Sequence, residues 1–241
     1  MNIAIIGASG GIGSGLLNAI LDSSIATTVY ATSFESDLEA ASSSDNKHTV
    51  VKRATVDASS EQSILSWVGE IDSLDWLINC VGYLHDDTHA PEKSIKQFDP
   101  AQFNKNISIN CLPTLLLAKH VFKKFDGSSA PIFATVSARV GSISDNRLGG
   151  WYSYRAAKAA LNMSLRTLSI EWARLNPAIL VAALHPGTTD TALSKPFQKN
   201  VPSENLFSAQ KTAELLLGQL HDLHQHPSGR FIAYDGQEIP W

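Results

Sequence analysis

Residues 2–13 read Asn2-Ile3-Ala4-Ile5-Ile6-Gly7-Ala8-Ser9-Gly10-Gly11-Ile12-Gly13. The apolar run before Gly7 has the length of a buried strand. Beyond it, Ile12, Leu16 and Ile20 recur every four residues, with Leu17 and Leu21 beside them, so an amphipathic helix begins where the glycines end. A glycine-rich turn between a strand and a helix lets the backbone turn sharply and approach a pyrophosphate. The helix N-terminus then offers free N–H groups and a partial positive charge. The spacing is GxxxGxG, through Gly7, Gly11 and Gly13; Ser9 and Ile12 hold the second and third glycine positions of the more general GxGxxG pattern. A turn without a ligand has the same composition, and the loop by itself says nucleotide, not reaction.

The alternation continues outward from this unit. Further strands are expected at 27–33, 49–56, 74–81, 130–136, 178–185 and 230–234. A long middle helix opens with Asp99 as N-cap and Pro100 at its first position. Another helix carries Leu161, Leu165, Leu168 and Trp172, and the last carries Ala209, Ala213, Leu216, Leu220 and Leu223. Strand–helix alternation along all 241 residues predicts one α/β domain, a Rossmann-type, doubly wound and mainly parallel sheet covered on both faces. Residues 36–46, with Ser42-Ser43-Ser44, read as a polar surface loop; 83–98 and 188–205 are the other long irregular stretches.

Composition bounds the partners. A net charge of −4 gives no electrostatic case for nucleic acid or an anionic membrane. No apolar run approaches the roughly 20 residues of a membrane span, and the N-terminus carries no signal-peptide pattern. Two separated cysteines, Cys80 and Cys111, make neither a disulfide framework nor a zinc set, which points to a reducing, cytoplasmic setting. His221, His224 and His226 lie near a helix end, where they suit the dipole; no metal is expected.

Residues 151–161 carry the chemistry. Tyr154 and Lys158 are four apart, hence on one helical face. A phenol titrates near pH 10, too high for proton transfer at neutral pH. A neighbouring ammonium favours the phenolate and is expected to lower that value. So tuned, Tyr154 can give a proton to a carbonyl or take one from an alcohol. A YxxxK on a surface helix arises by chance as well; its place late in a Rossmann-like chain gives it meaning.

With these motifs in order, the chain resembles the short-chain dehydrogenase/reductases along its whole length. Gly7, Gly11 and Gly13 match the family's glycine motif, and Asp57 matches the acidic residue that contacts adenine. Asn79-Cys80-Val81-Gly82 stands where the family has Asn-Asn-Ala-Gly, with Cys80 read as a small buried residue rather than a nucleophile. Asn110 matches the asparagine of the middle helix, Tyr154 and Lys158 the catalytic pair, and Pro186-Gly187-Thr188, with Thr191, the turn that meets the nicotinamide. Tyr154-Arg155 and the ending Tyr-Asp-Gly-Gln-Glu-Ile-Pro-Trp resemble the C-factor-like branch, whose namesake is a signalling protein.

The resemblance implies a nicotinamide-dependent oxidoreductase acting on a small carbonyl or alcohol, in a homodimer or homotetramer. Tyr154 would be the acid–base group, Lys158 would tune it and hold the nicotinamide ribose, and Asn110 would help position a water in a relay to Lys158. Pro113 lacks an N–H, so it either assists that relay by freeing the carbonyl of Ile109 or only bends the helix. Counting back from Gly141, the family's serine falls on Ala138; Ser137 is the first choice for its role and Ser142 the second. The second strand ends Tyr30-Ala31-Thr32-Ser33-Phe34 without an acid, which leaves room for a 2′-phosphate that Thr32 and Ser33 would bond, so NADP is expected ahead of NAD. A dinucleotide-binding regulatory protein with little turnover is the rival reading.

Overall fold

The computed structural model describes residues 1–35 and 49–241; the expected loop at 36–46 lies outside them. The chain runs β1 (Asn2–Ile6), α1 (Gly11–Ser23), β2 (Thr28–Ser33), β3 (Val50–Thr55), α2 (Glu61–Gly69) and β4 (Trp76–Asn79). It continues through α3 (Pro100–Asn110), α4 (Leu112–Val121), β5 (Ile132–Val136), α5 (Tyr152–Leu175) and β6 (Leu180–His185). Two short strands, β7 (Thr188–Thr189) and β8 (Leu206–Phe207), precede α6 (Ala209–Asp222) and β9 (Arg230–Ala233). Seven strands form one parallel sheet in the order β3-β2-β1-β4-β5-β6-β9. The order reverses between β1 and β4, and at such a switch the strands' C-terminal ends leave a crevice where ligands bind.

Alternation along each strand feeds two cores. On one face Ile3, Ile5, Ile132, Ala134 and Leu184 pack against Leu16 and Ile20 of α1 and Leu216 and Leu220 of α6. On the other, Phe133, Val181 and Ala183 meet Ile64, Leu117, Leu161, Leu165 and Trp172. Trp172 stands edge-on to Phe133 at 5.3 Å and fixes the far end of α5. Trp67 and Trp76 are buried packing residues.

The middle helix differs from its expected single span. Asp99 caps it through Ala101 N–H at 3.0 Å, with Pro100 in the first turn. It then breaks at Cys111, two residues before Pro113. Pro113 has no N–H for the carbonyl of Ile109, so the helix restarts as α4 rather than running on. The strand pair β7–β8, inside and just beyond the stretch 188–205, was not legible because two residues carry no periodicity.

Candidate active site

The strand ends converge on a cavity of about 560 Å³. Gly10–Ile12, Cys80–Gly82, Val136–Val140 and Pro186–Thr189 line it from below, and Tyr154 and Lys158 from α5.

The glycine turn is built for close approach. Gly7 sits at φ 80°, and a Cβ on Gly13 would lie 2.1 Å from the Gly7 carbonyl oxygen. Only a bare backbone lets α1 begin this close to the strand. A Cβ on Gly11 would meet Thr191 Cγ2 at 2.4 Å, so the loop after β6 rests on the glycine turn. This bare turn at the head of α1, opening into the cavity, suits a dinucleotide pyrophosphate.

Other expected contacts divide. Gly11, Ile12, Cys80, Val81, Gly82, Pro186, Gly187, Thr188 and Thr191 line the cavity. Gly7, Gly13 and Asn79 shape it from behind. Asn79 ties β4 to α4 through Thr114 at 2.9 Å and accepts from Val81 N–H. Ser9 is exposed. Asp57 accepts from the backbone and hydroxyl of Ser59 in a turn beyond β3. Thr32 and Ser33 are buried at the end of β2: Ser33 donates to the Glu35 carbonyl, and Thr32 Oγ1 has no partner among the described residues. Neither lines the cavity. Burial pushes the Cys80 thiol up to about 12, which favours its protonated form at neutral pH.

Tyr154 and Lys158 are both buried. Lys158 Nζ lies 5.8 Å from the Tyr154 ring centroid and donates to the Val136 carbonyl at 3.1 Å. Burial pushes the lysine down to about 8. The tyrosine corrects the sequence expectation: burial pushes its phenol up, not down. The loss of water outweighs the ammonium, whose Nζ is 5.8 Å from the ring centroid.

The serine role also meets a different geometry. Ser137 lines the cavity, but alternation along β5 turns its hydroxyl toward α5, where its hydrogen goes to Asn162 Oδ1 at 2.6 Å. Ser142 donates to the Pro240 carbonyl and is not in the lining. Ala138, between Ser137 and Arg139, lines the cavity without a hydroxyl. Asn110 uses its side chain to clamp the backbone of Tyr83, accepting from its N–H at 3.0 Å and donating to its carbonyl at 2.8 Å. It is adjacent to the site all the same: a Cβ on Gly82 would lie 3.6 Å from Asn110 Oδ1 and 3.8 Å from Lys158 Nζ.

Three features escape a sequence reading. Glu92, 4% exposed, accepts from the Ser153 N–H and hydroxyl, and its backbone carbonyl accepts from Trp151 N–H. A residue 61 positions away thus caps α5 just before Tyr154, and no local pattern announces it. Gly149, Gly150 and Trp151 form a left-handed turn at φ 64°, 64° and 52°. For a non-glycine residue that conformation costs on the order of 1–3 kcal/mol, and it holds the Trp151 ring 5.0 Å from Phe197. His185, beside Ser137 at the end of β6, accepts from Arg139 N–H at 3.4 Å, and burial and Arg139 push it down to about 4.

Comparison with known proteins bears on the family and the fold. Residues 1–202 match the profile of the short chain dehydrogenase family. The C-signal protein of Myxococcus xanthus is 31% identical over 144 residues, covering 59% of this chain and 81% of that one. The 1-hydroxy-2-glutathionyl-2-methyl-3-butene dehydrogenase of Rhodococcus sp. is 30% identical over 192 residues, covering 77% of this chain and 78% of that one. In fold, the chain superposes on NADPH-bound carbonyl reductase from chicken fatty liver with a TM-score of 0.82 at 22% identity, covering 100% of this chain and 94% of the other. The chain belongs to the short-chain dehydrogenase/reductase family of NAD(P)-dependent oxidoreductases.

Proposed function

We propose that the protein interconverts a carbonyl and an alcohol, with Tyr154 as the proton-transfer group and NADP(H) preferred to NAD(H). The observation that carries this reading is the burial of Tyr154 and Lys158 together at the wall of the cavity that the glycine turn opens into. A dinucleotide held by the glycine turn and by the Cys80–Gly82 and Pro186–Thr188 segments would supply or accept the hydride. Tyr154 holds the proton at its hydroxyl for the substrate oxygen, and Lys158, 5.8 Å from the ring, favours the phenolate when that proton leaves. Asn110 and the freed carbonyl of Ile109 are the groups to hold a water near Lys158.

Ser137 keeps the serine role ahead of Ser142, because it lines the cavity and Ser142 does not. A half-turn of the Asn162 amide would bring Nδ2, unpartnered among the described residues, against Ser137 Oγ. That exchange releases the hydroxyl hydrogen to a substrate oxygen.

The NADP preference rests on the same absence of an acid at the end of β2, and on the NADPH held by the chicken reductase. Titration of both reduced cofactors is expected to show tighter NADPH binding; NADH binding tenfold tighter, or ~1.4 kcal/mol, reverses the preference. Oxidation of the cofactor should then depend on an added carbonyl. Binding without turnover on any carbonyl favours the regulatory reading.

A homodimer or homotetramer is proposed as well. Met163 and Ile170 of α5 and Leu115 of α4 are exposed apolar side chains on helices that the family uses for assembly. Light scattering is expected to give a multiple of 26.0 kDa at micromolar concentration, and a monomer mass refutes it. Among the described residues no helix is long and apolar enough to cross a membrane; a reducing cytoplasm is proposed from the two free cysteines.

A further inference from the structure

The substrate end of the cavity carries its own chemical signature. Leu84, Val140, Trp151, Leu193, Phe197 and Val201 line it, and none offers a side-chain hydrogen-bond acceptor. Trp151 stands edge-on to Phe197 at 5.0 Å and to Tyr154 at 6.2 Å. His85 continues the row, edge-on to Phe197 at 5.6 Å, and its Nε2 is 3.1 Å from the Leu193 carbonyl. One aromatic wall therefore bridges the loop after β4, the turn before α5 and the loop after β7, and it reaches the Tyr154 ring.

The charged side chains of the lining point away from a role as a substrate clamp. Arg139 is paired with Asp145 at 3.7 Å, and Lys158 is buried on the Val136 carbonyl. A keto acid calls for a free guanidinium that can grip its carboxylate in two places. A polyhydroxylated carbonyl would lose water from its hydroxyls against Leu84, Val140, Leu193, Phe197 and Val201, which offer no hydrogen-bond partner, while the hydroxyls of Ser137 and Ser194 already donate to Asn162 and the Thr189 carbonyl. An aromatic ring loses nothing there and gains edge-to-face contacts.

We infer that this site takes an uncharged ketone or aldehyde bearing an aromatic ring, seated against Trp151 and Phe197 with its carbonyl at Tyr154. The inference rests on the oxidoreductase reading above and adds the substrate class. The left-handed backbone at Trp151 belongs to the argument: a strained conformation held by the Glu92 carbonyl fixes where this ring stands.

Acetophenone, pyruvate and dihydroxyacetone, each with NADPH and with NADH, test it. Acetophenone is expected to have a kcat/KM at least about 100-fold above the other two. Pyruvate or dihydroxyacetone reduced as well or better overturns the substrate class and leaves the oxidoreductase reading standing. Trp151→Gly removes the ring while suiting the positive φ, so the turn survives. It is expected to raise the KM for acetophenone about tenfold, the scale of one lost aromatic contact, with cofactor affinity unchanged. Phe197→Ala should act in the same direction, and an unchanged KM in both variants overturns the inference. If none of the three carbonyls is reduced, calorimetric titration of acetophenone into the NADP-loaded protein decides the substrate class. Binding that is lost in Trp151→Gly supports the aromatic site; no binding overturns it.

Discussion

Tyr154→Phe is expected to lower turnover by at least about 100-fold, the lower range for a general acid–base group, and to leave dinucleotide affinity within twofold. The ring remains, so its edge contact with Trp151 and its packing on α5 are kept; only the transferable proton is removed. Steady-state kinetics beside cofactor titration separate the two effects. Turnover near that of the parent protein removes Tyr154 from the mechanism. Because burial raises this phenol in the cofactor-free protein, direct titration of the tyrosine there should show no phenolate at neutral pH.

Lys158→Met should abolish turnover and yet stabilise the cofactor-free fold. Burial holds the lysine at about 8 against an ordinary 10.5, so below pH 8 the folded protein carries a cation it has desolvated. Between about 8 and 10.5 the unfolded chain binds more protons than the folded one, and stability rises with pH across that window. Methionine has no charge to desolvate. At about 1.4 kcal/mol per pKa unit, less the lost bond to Val136, a gain of about 1–3 kcal/mol is expected at pH 7. Urea denaturation at pH 7 and pH 10 checks it: the parent gains stability at the higher pH and the variant does not. A variant less stable at pH 7 contradicts the assignment of burial as the dominant cause.

What the sequence disclosed is what local pattern encodes. The seven sheet strands fall within about two residues of their expected bounds, and for most of them the reason is a continuous apolar run between turn residues, which has few other readings. The Asp99 cap and the Gly7–Gly13 turn were legible because both partners lie within a few residues. The Tyr154–Lys158 pair was legible for the same reason, but the tyrosine's environment was not: burial belongs to the tertiary structure, and it reverses the expected shift. Ser137 shows the same limit. Its place in the chain is plain, whereas its hydrogen-bond partner, Asn162, lies 25 residues on. The short strands β7 and β8 failed for want of length, and the Trp151 turn because two glycines before a tryptophan do not say that the tryptophan shares their conformation.

The cap that Glu92 places on α5 sets an order of events during synthesis. The carboxylate leaves the ribosome 61 residues before Ser153. At 5–20 residues per second it stays hydrated for roughly 3–12 seconds with nothing to bind. Through that interval the first five sheet strands can assemble, but the start of α5 does not yet exist. The first turn of α5 therefore gains its cap only once the loop that carries Glu92 docks against it, a contact that closes over 61 residues.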